Sequence, residues 1–186
     1  MIELGDQLVW EHAKERLNIH FDVAKDWLLS LGLAEHVSVD MNGQHGAVVA
    51  DLSRPIFGHG WDEHFDIVTD IGTLEHVMPL DGQYHALANM HRWCKPGGLM
   101  LHQLPPRGHW LDHCRFRYDE RFIETLAELN GYEIVNMERT KLPTLNPTVE
   151  YLSAALRRGP DSQFYSSAQP YFTFDKKRLV ETIECS

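Results

Sequence analysis

The sequence predicts an α/β fold: a mostly parallel, seven-stranded sheet with helices on both faces. Three observations carry this. Short apolar runs alternate with amphipathic stretches along most of the chain. Parallel strands need crossover connections, and crossover helices cover both sheet faces. The 186 residues suffice for one full core and are too few for two comfortable ones. Residues 1–186 therefore read as a single domain, with an irregular tail from about residue 159.

The elements follow in order. "MIELG" is short, apolar and closed by Gly5, so it reads as the first strand. From Leu8 to Leu33, Trp10, Leu17, Phe21, Ala24, Leu28 and Leu31 fall near a 3.6 period, which predicts a helical region ending at Gly32. "HVSVD", "AVVAD" and "FDIVTD" give strands two to four. "GQYHALANMHRWCKPGG" reads as a helix stopped by Pro96-Gly97-Gly98. "LMLHQLP" is the fifth strand. "DERFIETLAELNGY" is an amphipathic helix with Phe122, Ile123, Leu126 and Leu129 on one side and Asn130-Gly131 at its end. "YEIVNME" and "VEYLSAAL" complete the seven strands. The aromatic tail, with Phe164, Tyr165, Tyr171, Phe172 and Phe174, is expected to pack on its own sheet.

Composition bounds the function. The 17 basic and 27 acidic residues leave a formal charge of -10, which opposes approach to phosphate backbones, so no nucleic-acid partner is expected. Arg115, Arg117 and Arg121 are the best candidates for a local basic patch. No apolar run spans a bilayer and no secretory leader is present, which places the protein in the cytoplasm. Cys94, Cys114 and Cys185 have no paired spacing, and among the 12 histidines only His109 and His113 stand four apart; no metal is expected.

In parallel α/β sheets, ligands sit beyond the carboxyl ends of the strands. Those ends carry Gly5-Asp6-Gln7, Asp40-Met41, Asp51-Leu52 and Asp70-Ile71. An acid after the second strand suits ribose hydroxyls. One after the third suits the exocyclic amine of adenine. Met41 and Leu52 can sandwich a flat base. The ligand that wants this set is an adenosine. Glu75, at the start of "LEHV", reads as a complement to a helix N-terminus. His102, inside a strand, reads as a hydrogen-bonded core residue.

"FDIVTDIGTLEHV" followed by "ALANMHRWCKPGGLMLHQLP" resembles the fourth and fifth motifs of class I S-adenosylmethionine-dependent methyltransferases. "VSVDMNG" and "VVADLS" are similar to the second and third motifs, and the combination of "ELGDQ", "SVDMNG", "ADLSRPI", "FDIVTDIGTLEHV" and "RGHW" further resembles a bacterial subgroup with a reduced glycine motif. The resemblance covers about residues 1 to 140 and is most specific between Asp40 and Pro105. It implies the Rossmann-like class I methyltransferase fold, with S-adenosylmethionine as cofactor. Glu3, Gly5, Asp6, Gln7, Asp40, Met41, Asp51, Leu52, Asp70 and Ile71 are its expected binding residues. Two departures stand out. The first motif keeps its acid and one glycine but has Gln7 where a second glycine is usual. The sequence also starts at the first strand, so the helix that often covers the cofactor is missing or comes from another subunit.

Such a cofactor carries the reactive chemistry, and the protein has to align the acceptor. His109 and His113, in a loop expected over the cleft, are the candidate bases. The implied acceptor is a small molecule, a glycan or a lipid-linked precursor, and a homo-oligomer is possible. A degenerate relative that holds a nucleoside or a protein partner is the alternative. A nicotinamide dehydrogenase is disfavoured, because no GxGxxG follows the first strand.

Overall fold

The computed structural model describes residues 1–110, 115–141, 150–174, 177–178 and 180–182. Its strands are β1 (Ile2–Leu4), β2 (Val37–Asp40), β3 (Val48–Val49), β4 (Phe65–Ile71), β5 (Cys94–Leu104), β6 (Phe116–Tyr118), β7 (Tyr132–Lys141), β8 (Glu150–Arg158), β9 (Thr173–Phe174), β10 (Lys177–Arg178) and β11 (Val180–Thr182). Its helices are α1 (Glu11–Leu17), α2 (Ala24–Ser30), α3 (Leu80–Trp93), α4 (Glu120–Asn130) and α5 (Gln169–Phe172). The seven-stranded sheet runs β3-β2-β1-β4-β5-β8-β7, parallel from β3 to β5, with β8 antiparallel to both neighbours. Strand order thus reverses beside β1 and β4, where α/β proteins place their ligands.

Alternation along the strands sorts the two faces. Ile2, Leu4, Val68, Met100, Leu104, Leu152 and Leu156 point into one core with Leu87, Met90 and Trp93 of α3 and Phe122, Ile123 and Leu126 of α4. The capping of α4 follows its sequence: Asp119 accepts from the Phe122 amide at 3.1 Å, and Gly131 closes the helix in the left-handed region. The tail folds back on this same side. Tyr171 and Phe172 are buried, and the Tyr171 hydroxyl donates to Asn130 at the end of α4 at 2.8 Å. β11 pairs with β6.

Two elements differ from the sequence expectation. The region from Leu8 to Leu33 is not one helix. Asn18, at φ 53°, ends α1 in a left-handed cap, and the chain runs extended before α2. The apolar stripe that promised a core-facing helix is largely exposed; Leu17 and Leu31 keep 59% and 65% of their surface. Likewise Pro96-Gly97-Gly98 does not stop α3. That helix ends at Trp93, and the glycines serve an irregularity at the start of β5, where register with β4 slips between Phe65 and Ile67. A side chain on Gly98 would meet the Cys94 Sγ at 2.8 Å.

His91 is buried, with its Nδ1 2.7 Å from the Tyr132 hydroxyl. Burial, and then the nearby Arg158 guanidinium, push its pKa down to about 4. The unfolded chain takes up that proton near pH 6.5, so the native state loses stability as pH falls from about 6.5 to about 4. The expected loss is up to about 3 kcal/mol. Denaturant melts of wild type and His91→Asn across that window check this: the difference between them should shrink as the pH falls.

Candidate functional site

The loop after β1 organises the carboxyl edge of the sheet. Gly5 sits at φ +82°, and a Cβ there would meet the Thr73 Oγ1 at 2.5 Å and the Gln7 Nε2 at 2.7 Å. The Thr73 hydroxyl donates to the Leu4 carbonyl at 2.8 Å, and the Gln7 amide donates to Thr73 Oγ1 at 3.2 Å. The Asp6 amide donates to Asp40 Oδ2 at 3.1 Å, tying the ends of β1 and β2 together. Asp40 Oδ1 accepts the Asn42 amide at 2.8 Å. Asp6 Oδ2 lies 2.5 Å from His45 Nδ1, while its Oδ1 is buried without a partner among the described residues.

Two cavities flank this loop. The smaller, about 470 Å³, is lined by Asp40, Met41, Asp51, Leu52, Thr73 and His76, among others. Asp51 Oδ1 accepts from the Ser53 amide and hydroxyl, and Oδ2 from Arg54. The Ser53 hydroxyl first of all holds its carboxyl below the usual range. The larger, about 750 Å³, lies on the face of α1 and α2 and includes Glu3, Gln7, Ile71, Gly72, Glu75 and Leu101. Thr73 thus belongs to one cavity and its hydrogen-bond partner Gln7 to the other.

The predicted residues divide accordingly. Asp40, Met41, Asp51 and Leu52 converge on the smaller cavity. Glu3, Gln7 and Ile71 face the larger one, Glu3 with its Oε1 accepting from the Ser38 hydroxyl at 2.7 Å. Gly5, Asp6 and Asp70 line neither. Asp70 is set apart by its surroundings. Fully buried, it accepts the Leu74 amide at 2.9 Å and holds the His102 Nδ1 at 3.1 Å. The expected core role of His102 fits that contact.

Glu75 differs from expectation. The "LEHV" segment forms an isolated 3₁₀ turn, Leu74–His76, ahead of α3, and Glu75 is 2% exposed rather than a solvated helix start. Burial, and then the Asp70 charge, push its pKa up to about 8. An acid behind a strand-end glycine was the available signal, but nothing local says which way the side chain turns.

His109 lies outside both cavity linings, 3.6 Å from Glu150. The neighbouring Trp110 donates to the Glu150 carbonyl at 2.8 Å and packs on Tyr151. His113 lies outside the described residues. Of the three arginines named as candidates for a basic patch, Arg117 meets Glu181 and Arg121 meets Glu124 and Glu128. Among the described residues, no helix is long and apolar enough to cross a membrane.

Comparison with known proteins bears on this geometry. A family model described as "Methyltransferase domain" matches residues 27–102. No curated protein matches the chain. Among the solved structures that resemble it are three methyltransferases. The 1,6-didemethyltoxoflavin-N1-methyltransferase of Burkholderia thailandensis, with 1,6-didemethyltoxoflavin and S-adenosylhomocysteine bound, is 17% identical with a TM-score of 0.55, covering 85% of this chain and 71% of that one. The N-methyltransferase NodS of Bradyrhizobium japonicum WM9, in complex with S-adenosylhomocysteine, is 16% identical with a TM-score of 0.56, covering 84% and 76%. A mutant 16S rRNA (adenine(1408)-N(1))-methyltransferase from Catenulisporales acidiphilia is 14% identical with a TM-score of 0.55, covering 87% and 85%. At these identities the likeness establishes the fold. It does not by itself exclude nucleic acid, since one neighbour is an rRNA methyltransferase.

Proposed function

We propose that this chain, a class I S-adenosylmethionine-dependent methyltransferase by its fold and by the domain at residues 27–102, holds the cofactor's adenosine in the smaller cavity and methylates a small-molecule acceptor. The observation that carries the reading is the convergence of Asp40 and Asp51, with Met41 and Leu52, on one cavity beside the reversal of strand order.

The residues fit such a cofactor. Each Asp40 oxygen accepts one backbone amide and keeps a further lone pair for ribose hydroxyls. Asp51 Oδ2, shared with a well-exposed Arg54, keeps capacity for an exocyclic amine. Gly5 permits the tight loop after β1, since Thr73 Oγ1 and Gln7 Nε2 already occupy the place a Cβ would take. Bound S-adenosylmethionine supplies an electrophilic methyl group. The chain's own residues orient the acceptor and exclude water. The net charge of -10, and the carboxylates facing Arg117 and Arg121, favour a small acceptor over a polyanion. His109 requires a change of position to act as a base at either cavity.

Calorimetry with S-adenosylhomocysteine tests this. Micromolar binding is expected; no heat and no thermal shift at millimolar ligand would overturn it. Asp40→Ala should weaken binding by about 1–3 kcal/mol in a folded protein, and unchanged affinity would remove Asp40 from the site. One observation favours a second reading, a non-catalytic binding relative. The Gln7 side chain spans to Thr73 where the family usually leaves room beside glycine. A folded chain blind to S-adenosylhomocysteine would select it.

A further inference from the structure

We propose that the cavity between α1, α2 and the sheet is the acceptor pocket, and that it takes a largely apolar amine whose nitrogen meets the Glu75 carboxyl. The word acceptor rests on the methyltransferase reading; the pocket and its ligand class rest on the following.

At about 750 Å³ the cavity is of the size that encloses drug-sized molecules. Its walls are apolar and aromatic, with Trp10, Trp27, Leu28, Leu101 and Tyr151 among them. Trp10 and Leu31 leave 44% and 65% of their surface uncovered, which a bound apolar ligand would shield. At the sheet edge stands Glu75, 2% exposed, with Oε2 lacking any partner among the described residues. A buried carboxyl oxygen without a donor is costly, and a ligand N–H removes that cost.

The charges around it are acidic. Asp70 approaches from β4, with His102 of β5 bonded to its far side. Glu3 lines the cavity from β1, tied to Ser38 and 3.5 Å from His36, and Met1 lines the same wall, its amino group donating to the Glu35 carbonyl. Tyr151 comes from β8, and the lining residues of α1 and α2 carry no charge. No lysine, arginine or histidine side chain lines the cavity among the described residues. An anionic acceptor would find no cationic side chain, and the Met1 amino group is already engaged with the Glu35 carbonyl. An amine finds a carboxyl at one end and aromatic faces around it. The cavity and the smaller one meet at Gly72–Thr73 and Gln7, so a ligand nitrogen at Glu75 stands next to the loop that separates it from the cofactor side.

Two fluorescent amines test this: N-phenyl-1-naphthylamine, uncharged, and dansylcadaverine, a cation. Both should bind saturably. Leu101→Trp, which fills the floor, should weaken both by about tenfold or more while changing S-adenosylhomocysteine affinity by less than about twofold. If that variant does not fold, Ala13→Phe on the opposite wall asks the same question. Closing the pocket over an ionised carboxyl is costly for the neutral probe and favourable for the cation. With Glu75 near pH 8, the neutral probe should weaken and the cation tighten as pH rises through that value. Glu75→Gln should flatten both profiles. It should also melt progressively higher than wild type from pH 5 to pH 8, because the native state loses stability as pH rises from the ordinary carboxyl range to about 8. Unsaturable fluorescence, wild-type binding in both filled variants, or pH steps that persist in Glu75→Gln would overturn the pocket. Intact probe binding without any S-adenosylhomocysteine heat would overturn the acceptor role instead.

Discussion

Gly5→Val should cost about 3–4 kcal/mol and abolish S-adenosylhomocysteine binding. The left-handed backbone of Gly5 charges an ordinary side chain about 1–2 kcal/mol, and a β-branched one fits it least. The added carbon also collides with Thr73 Oγ1 and Gln7 Nε2, both within 3 Å. Moving them breaks the hydroxyl bond to the Leu4 carbonyl and the amide bond to Thr73, at about 1 kcal/mol each. Gly32→Ala is the control. Gly32 has φ +96° and nothing within 4 Å of its would-be Cβ, so only the conformational part, about 1–2 kcal/mol, should appear. Urea melts of both variants give the difference. Equal losses would mean that the collision is relieved at no cost and that the loop is not tightly held.

Trp93→Ala should destabilise the fold by about 3–5 kcal/mol without touching either cavity. Trp93 is fully buried at the end of α3, edge-on to Trp61 at 5.4 Å, with its carbonyl accepting the His64 amide. Removing the indole leaves a void under the β4–β5 pair that backbone contacts prevent from collapsing. The urea midpoint should fall sharply, and S-adenosylhomocysteine affinity, measured where the variant is still folded, should not change. A loss under 1 kcal/mol would mean that Trp61 and its neighbours close the gap.

The sheet was legible because its strands are apolar runs with glycine or aspartate at their exits, and those signals are local. Asp40, Met41, Asp51 and Leu52 were placed on one rim by the same logic, and they share a cavity. Asp70 looked identical in sequence. Its side chain falls on the inward face of β4, beside His102, a matter of strand parity and of the partner strand. The helical stripe from Trp10 to Leu31 has the correct period but no buried partner, and Asn18 breaks it. Periodicity reports which residues want cover and is silent on what supplies it. Glu75 was missed for a related reason: an acid at a turn is usually solvated, and only the packing of Gly72 and Asp70 around it makes it otherwise.

The partition between Gln7 and Thr73 has a thermodynamic corollary. A molecule entering on one side that loosens or tightens this single bond alters the binding free energy on the other side. Linkage requires the effect to be mutual: whatever factor a first occupant imposes on a second, the second imposes on the first. Occupancy of the two chambers is therefore correlated in proportion to how far each guest displaces that amide, and a chain with Gln7→Gly should accommodate its guests independently.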